Sequence, residues 1–154
     1  MPVASLHKGA NTWCVHARLP PGSHGKVGCE IYAKRPEECR LWSCLWLLDD
    51  SFPEELRPDR SHVVFDMMTD RVRSIDRAGK EQLHEVVQLW CDPHHRDAHR
   101  APLVREAIQQ IAARAGLATL VRFSDRDGFL VLAPPLAGGK WLEMRDSSVI
   151  GRVA

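Results

Sequence analysis

Between residues 62 and 127 the order of apolar and polar segments leaves few folds open. Ser61-His62-Val63-Val64-Phe65-Asp66-Met67-Met68 is a short run rich in β-branched and aromatic residues, and residues 83–91 form another. The stretch between them is polar and holds Asp70, Asp76, Gly79 and Lys80, so the pair reads as a long hairpin. Pro102 then opens a stripe of Leu103, Val104, Ala107, Ile108, Ile111, Ala112 and Ala115 at helical spacing, and Gly116 stops it. Residues 117–123 return as a strand. A helix that crosses a sheet leads most simply into a parallel neighbour. The expectation is an α/β (α+β) fold, with a mixed central sheet flanked by helices and its core over residues 62–127.

The flanking segments are read in the same way. Residues 12–19 alternate as a strand that ends at Pro20-Pro21-Gly22, and residues 26–33 are its partner, giving an N-terminal β-hairpin with His16, His24 and Lys26 near one end. Residues 1–11 read as a flexible lead-in. Pro36-Glu37-Glu38 suits the first turn of a helix that runs to Leu48, because proline fits the first position and acidic groups fit the positive end of the dipole. Leu41, Trp42, Leu45, Trp46 and Leu48 supply its apolar stripe, and Asp49-Asp50-Ser51 with Pro53 end it. Beyond the core, residues 124–128 are a turn, 129–133 a strand and 134–139 a break. The tail from Lys140 holds one edge strand and then frays.

At 154 residues with 44% hydrophobic content, the chain is the size of a single domain with one core, spanning residues 1–154. Lys plus Arg (21) against Asp plus Glu (20) gives a formal charge of +1, which argues neither for nor against a polyanionic partner. Cys14, Cys29, Cys39, Cys44 and Cys91 are odd in number and contain no Cys-x-x-Cys pair, the pattern of buried thiols in a reducing compartment. No charged-then-apolar leader is evident, and no apolar run nears the roughly 20 residues that span a bilayer. A cytoplasmic protein without a membrane partner is expected.

Glu37-Glu38-Cys39-Arg40-Leu41-Trp42-Ser43-Cys44-Leu45-Trp46-Leu47-Leu48, then Phe65-Asp66, then Val86-Val87-Gln88-Leu89-Trp90 and Val121-Arg122-Phe123-Ser124-Asp125-Arg126-Asp127 occur in an order with a precedent. Over roughly residues 30–127 the chain resembles the restriction-endonuclease-like, PD-(D/E)xK nuclease superfamily, and within it the TnsA-type endonuclease subunits of transposons. The resemblance implies a restriction-endonuclease-like core with Glu38 (or Glu37) as the helix carboxylate, Asp66 as the central ligand of Mg2+ or Mn2+, and Gln88 as a flanking ligand. Such ions polarise a phosphodiester and generate hydroxide from water. Trp90 stands where the family keeps a lysine, and an indole carries no charge to place beside a phosphate. Lys80 or Lys140, reaching in from a loop, or a shift of the acidic position to Glu85, would restore the set.

Each of these residues also has a structural reading. Asp66 is a solvated strand-end acid, Glu37 and Glu38 are partners of a helix dipole, and Gln88 is a hydrogen-bonded amide on a sheet face. Asp92-Pro93-His94-His95-Arg96-Asp97-Ala98-His99-Arg100 is dense in ligands. Cys91, His95 and His99 fall one short of a structural zinc set, whereas Arg96, His99 and Arg100 suit phosphate contacts in nucleic acid. The tryptophans fit a core better than a stacking surface. Three functions stay open: a DNA-processing or DNA- or protein-binding protein of a mobile element or phage on a degenerate nuclease-like core, partnered by DNA or by a transposase or other complex subunit; an active metal-dependent DNA endonuclease with a relocated lysine; and an interaction or inhibitor module with no nucleic-acid role.

Overall fold

The structure is a computed structural model that describes residues 4–7, 14–18, 28–75, 79–124, 126–145 and 150–152. The chain falls into two compact units, Met1–Ser43 and Cys44–Ala154. In the first unit a 3-10 turn spans Ala4–Leu6 and is closed by the His7 amide on the Ala4 carbonyl, and the other lead-in residues lie outside the described residues. Strands β1 (Ala17–Arg18) and β2 (Gly28–Cys29) pair antiparallel, and the Glu30 amide donates to the His16 carbonyl at 3.0 Å. This is the expected N-terminal hairpin, although its connection, with His24 and Lys26, lies outside the described residues. A 3-10 turn at Tyr32–Lys34 leads into the short helix α1 (Glu37–Leu41).

The helix expected over residues 36–48 is two helices. Trp42 (φ −88°, ψ 128°) and Cys44 (φ −77°, ψ 159°) are extended, and α2 (Leu45–Leu48) begins after them, in the second unit. The apolar stripe was a poor guide because much of it is not buried: Leu41, Leu47 and Leu48 are all exposed. In α2 only Leu45 is buried, and the Trp46 indole N–H donates to the Pro53 carbonyl.

The second unit is a mixed α/β structure around a six-stranded sheet flanked by helices. After α3 (Pro58–Ser61) come β3 (Val63–Ile75) and β4 (Glu81–Cys91), then α4 (Pro102–Ala115), β5 (Ala118–Arg122), β6 (Gly128–Leu132), β7 (Leu142–Met144) and β8 (Ile150–Arg152). The strand order is β7-β6-β5-β4-β3-β8, with β4 and β5 parallel and every other pair antiparallel. The tail thus supplies both edges of the sheet.

The hairpin is longer than its apolar runs. The polar stretch expected as a turn continues both strands, because Arg71 and Arg73 pair with Glu85 (3.2 Å) and Glu81 (3.6 Å) on one face while Val72 and Ser74 are buried on the other. Alternation survives there in charged rather than apolar residues.

Helix α4 has the expected bounds. Pro102 opens it, Gly116 caps it at φ 68°, and Val104, Ala107, Ile108 and Ala112 form its buried stripe. These pack on Val63, Phe65, Leu89, Cys91, Val121, Phe129 and Val131. The opposite face of the sheet carries a second cluster, Val72, Val86, Ala118, Leu130 and Leu132. Alternation along the strands therefore assigns Asp66, Gln88, Trp90 and Arg122 to the face opposite α4.

Candidate functional site

Asp66 and Gln88 are direct cross-strand partners, both buried. Just beyond Asp66 the ladder shifts, so that Asp70 faces Val86. Four residue steps on β3 thus match two on β4, and the offset of two keeps Asp70 on the same face as Asp66. An unbroken strand would separate these aspartates by about 13 Å, whereas the bulge reduces this to about 7 Å along the ladder. Gln88 Nε2 donates to Asp70 Oδ2 at 3.3 Å, and Arg122 Nη1 donates to Gln88 Oε1 at 3.4 Å. The Arg122 guanidinium also lies 4.6 Å from the centroid of the Trp90 ring. Arg122 and Trp90 are register partners on parallel strands.

The result is a polar constellation of Asp66, Asp70, Gln88, Arg122 and Trp90 on one sheet face. Its carboxylate and amide oxygens are the donor type that Mg2+ and Mn2+ prefer. Asp70 looked like part of a polar turn in the sequence. Its pairing depends on a bulge that hydrophobic periodicity does not reveal. Arg122, too, is placed beside Trp90 only by the parallel register that the α4 crossover sets.

Of the remaining expected site residues, Glu38, like Glu37, is exposed in the first turn of α1 and belongs to the first unit, whereas Asp66 belongs to the second. Lys80 is exposed at the tip of the hairpin, eight residues from Gln88 along β4, or about 27 Å at strand rise. The structure does not bring it to Asp66.

Arg96 and Arg100 are half-exposed and paired, Arg96 with Asp127 at 2.7 Å and Arg100 with Glu143 at 3.0 Å. His99 is 4% exposed, so it sits in the core rather than on a phosphate-binding surface. Its Nδ1 is 2.8 Å from the Arg96 carbonyl, and its ring meets Phe129 edge-on at 5.2 Å. Its Nε2 lies 3.9 Å from Glu143 Oε1 without a hydrogen bond. Burial holds the His99 pKa below its ordinary value against the raising effects of the Arg96 carbonyl and Glu143. Burial alone would raise Glu143, but hydrogen bonds from Arg100 and Arg145 outweigh it and keep the carboxylate below its usual range.

A second constellation lies where β3 begins and β4 ends. His62, Asp92 and His95 each offer a ligand atom, all within 4.8 Å of one another, so this group could hold a metal ion. The Asp92 amide donates to the His62 carbonyl at 2.9 Å, which extends the β3–β4 ladder by one step, and the His95 amide closes a turn on the Asp92 carbonyl at 2.8 Å. Asp92 Oδ1 accepts from the His94 amide at 2.9 Å, and this bond is the chief reason its carboxyl is held below the ordinary range. Oδ2 is left facing His95 Nδ1 at 3.0 Å and His62 Nδ1 at 3.6 Å. Sequence spacing offered His95 with His99 as the pair, but only His95 belongs to this group, and Cys91 is a buried core thiol. His62 was hidden because it lies 30 residues from Asp92 and meets it through the hairpin.

Among the described residues no helix is long and apolar enough to cross a membrane. Compared with protein-family models, curated proteins and solved structures, the chain matches none of them.

Proposed function

We propose that this protein binds DNA, or a partner in a DNA-processing complex of a mobile element or phage, through a nuclease-like core that has lost its catalytic lysine. The observation that carries this reading is the pairing of Trp90 with Arg122 beside Gln88, Asp70 and Asp66. The acidic register of a nuclease site is retained, while the lysine register holds an indole stacked against a guanidinium. That pair suits contact with a phosphate or a base, since arginine offers a planar fork of donors and tryptophan a stacking face. It does not suit proton transfer, because the guanidinium stays protonated.

A second reading is metal-dependent phosphodiester hydrolysis, favoured by the bulge that brings Asp70 alongside Asp66. Asp66 and Asp70 would hold Mg2+ or Mn2+, which supplies the Lewis acid, and Arg122 would take over the charge-stabilising part of the missing lysine. Neither reading involves Lys80.

One experiment separates them. The full chain is titrated with duplex DNA across a salt series and incubated with supercoiled plasmid in Mg2+ or Mn2+. Binding that weakens linearly in log salt, without nicking, supports the first reading. Nicking that is lost in both Asp66→Asn and Asp70→Asn supports the second. Absence of DNA binding at low salt excludes the second reading and the DNA-binding form of the first, and leaves binding to a protein partner.

A further inference from the structure

We propose that His62, Asp92 and His95 form a mononuclear site for a divalent transition-metal ion of the zinc class, with its remaining position open to the adjoining groove. The inference is independent of the nuclease-like constellation and concerns a different donor set. Two imidazoles and one carboxylate favour zinc, cobalt or nickel over magnesium, which takes oxygen ligands. A set of three protein ligands with one position left for water is the pattern of reactive rather than purely structural zinc sites.

The geometry supports this at three points. Donors around a four-coordinate zinc with bonds of about 2.0–2.1 Å lie roughly 3.3 Å apart. The Oδ2 of Asp92 is 3.0 Å from His95 Nδ1 and 3.6 Å from His62 Nδ1, which brackets that spacing. Next, the backbone is anchored, because His62 and Asp92 continue the β3–β4 ladder and His95 closes a turn on Asp92. Finally, His62 caps α3 in the left-handed region at φ 58°, a conformation uncommon for a non-glycine residue, and its ring stacks on that of His95.

The two rings are stacked at 3.6 Å and nearly parallel at 9°, with their Nδ1 atoms both near the Asp92 carboxylate. Their lone pairs do not yet converge. Ligation of one ion by both therefore requires rotation of the half-exposed His95 side chain, and each Nδ1 that carries a proton would release it on binding. The adjoining groove has a volume of about 450 Å³ and is lined by both basic (Arg60, Arg96) and acidic (Glu55, Asp97) residues, so its charge does not select the ligand of the open position.

The test uses the full chain titrated with Co2+ alone, followed by displacement with Zn2+. One equivalent should bind, with a visible ligand-field band, no thiolate-to-cobalt charge-transfer band, and a melting temperature that rises with metal concentration. His95→Gln should weaken binding, and the double variant His62→Ala/His95→Ala should abolish the band. Asp92→Asn keeps an oxygen for the His94 amide, so it should fold while binding less tightly. Absence of a saturable band overturns the site. So does a thiolate band, which would assign the metal to cysteine, or undiminished affinity in His95→Gln and Asp92→Asn.

Discussion

The guanidinium of Arg122 lies 4.6 Å from the centroid of the Trp90 ring, across the only parallel strand pair in the sheet among the described residues. The same guanidinium donates to Gln88 Oε1, and Gln88 in turn donates to Asp70. A cation from β5 is thereby tied to an acid on β3 through an amide on β4.

Removing Arg122 should cost more than a surface charge would. Arg122→Ala loses the ring contact, worth about 0.5–1 kcal/mol at a partly exposed site, and deprives the buried Gln88 oxygen of its donor, which adds about 1–3 kcal/mol. Arg122→Lys should recover little, since an ammonium offers neither the planar stack nor the fork. Urea unfolding should show a lower midpoint at unchanged slope in both variants. Wild-type midpoints would refute the linkage.

Gly128 is fixed by close approach rather than by a turn. It faces Arg122 across β5 and β6, and a Cβ there would clash with the Val121 carbonyl oxygen, a backbone atom with little room to yield. Gly128→Ala should destabilise by about 1–3 kcal/mol, the usual cost of overpacking. It should also loosen the β5–β6 pairing, seen as faster amide exchange at Val121 and Phe129. Unchanged melting and exchange would contradict the placement.

Burial lowers the pKa of both His84 and His99, so each stays neutral in the fold at pH values where the unfolded chain, near 6.5, takes up a proton. Their stabilising contribution is complete above about pH 6.5 and is lost as the pH falls from there through the lowered folded values. The carboxylates with lowered values, such as Glu143 and Asp92, act in a separate window below about pH 4.5. The unfolding midpoint should therefore decline between pH 7 and 5. His99→Leu should flatten that decline, and a slope equal to wild type would exclude His99 as a contributor.

The thiols should react in order of environment. Burial pushes Cys91 up to about 11, which leaves on the order of one thiolate in a thousand at pH 8, whereas Cys29 is exposed. Iodoacetamide followed by mass spectrometry should label Cys29 first and leave Cys91 and Cys44 unmodified until denaturant is added. Early labelling of Cys91 would show that the end of β4 opens readily.

How much of this was legible in the sequence depends on what sets each feature. Helix α4 was readable to its ends because Pro102, a continuous apolar stripe and Gly116 all act locally. The parallel placement of β5 followed from the crossover. The helix from 36 to 48 was not readable, since apolar periodicity runs through Trp42 and Cys44, where the backbone is extended. At the candidate site Asp66 and Gln88 were visible as strand residues. The membership of Asp70 and Arg122 was not, because it is fixed by register. His62 and Asp92 were separated for a similar reason, as only hairpin closure makes them neighbours.

The irregularity between Asp66 and Asp70 has a further consequence for the tolerance of β3 to changes in length. Because the extra residues number two, every position after them keeps the facing it would have had without them. Loss or gain of a pair in this segment would be silent for the distal hairpin, altering only the local kink. Loss or gain of a single residue would send Arg71 and Arg73 to the side now occupied by Val72 and Ser74, and reverse the distal strand wholesale. Length variation here should thus come in even steps.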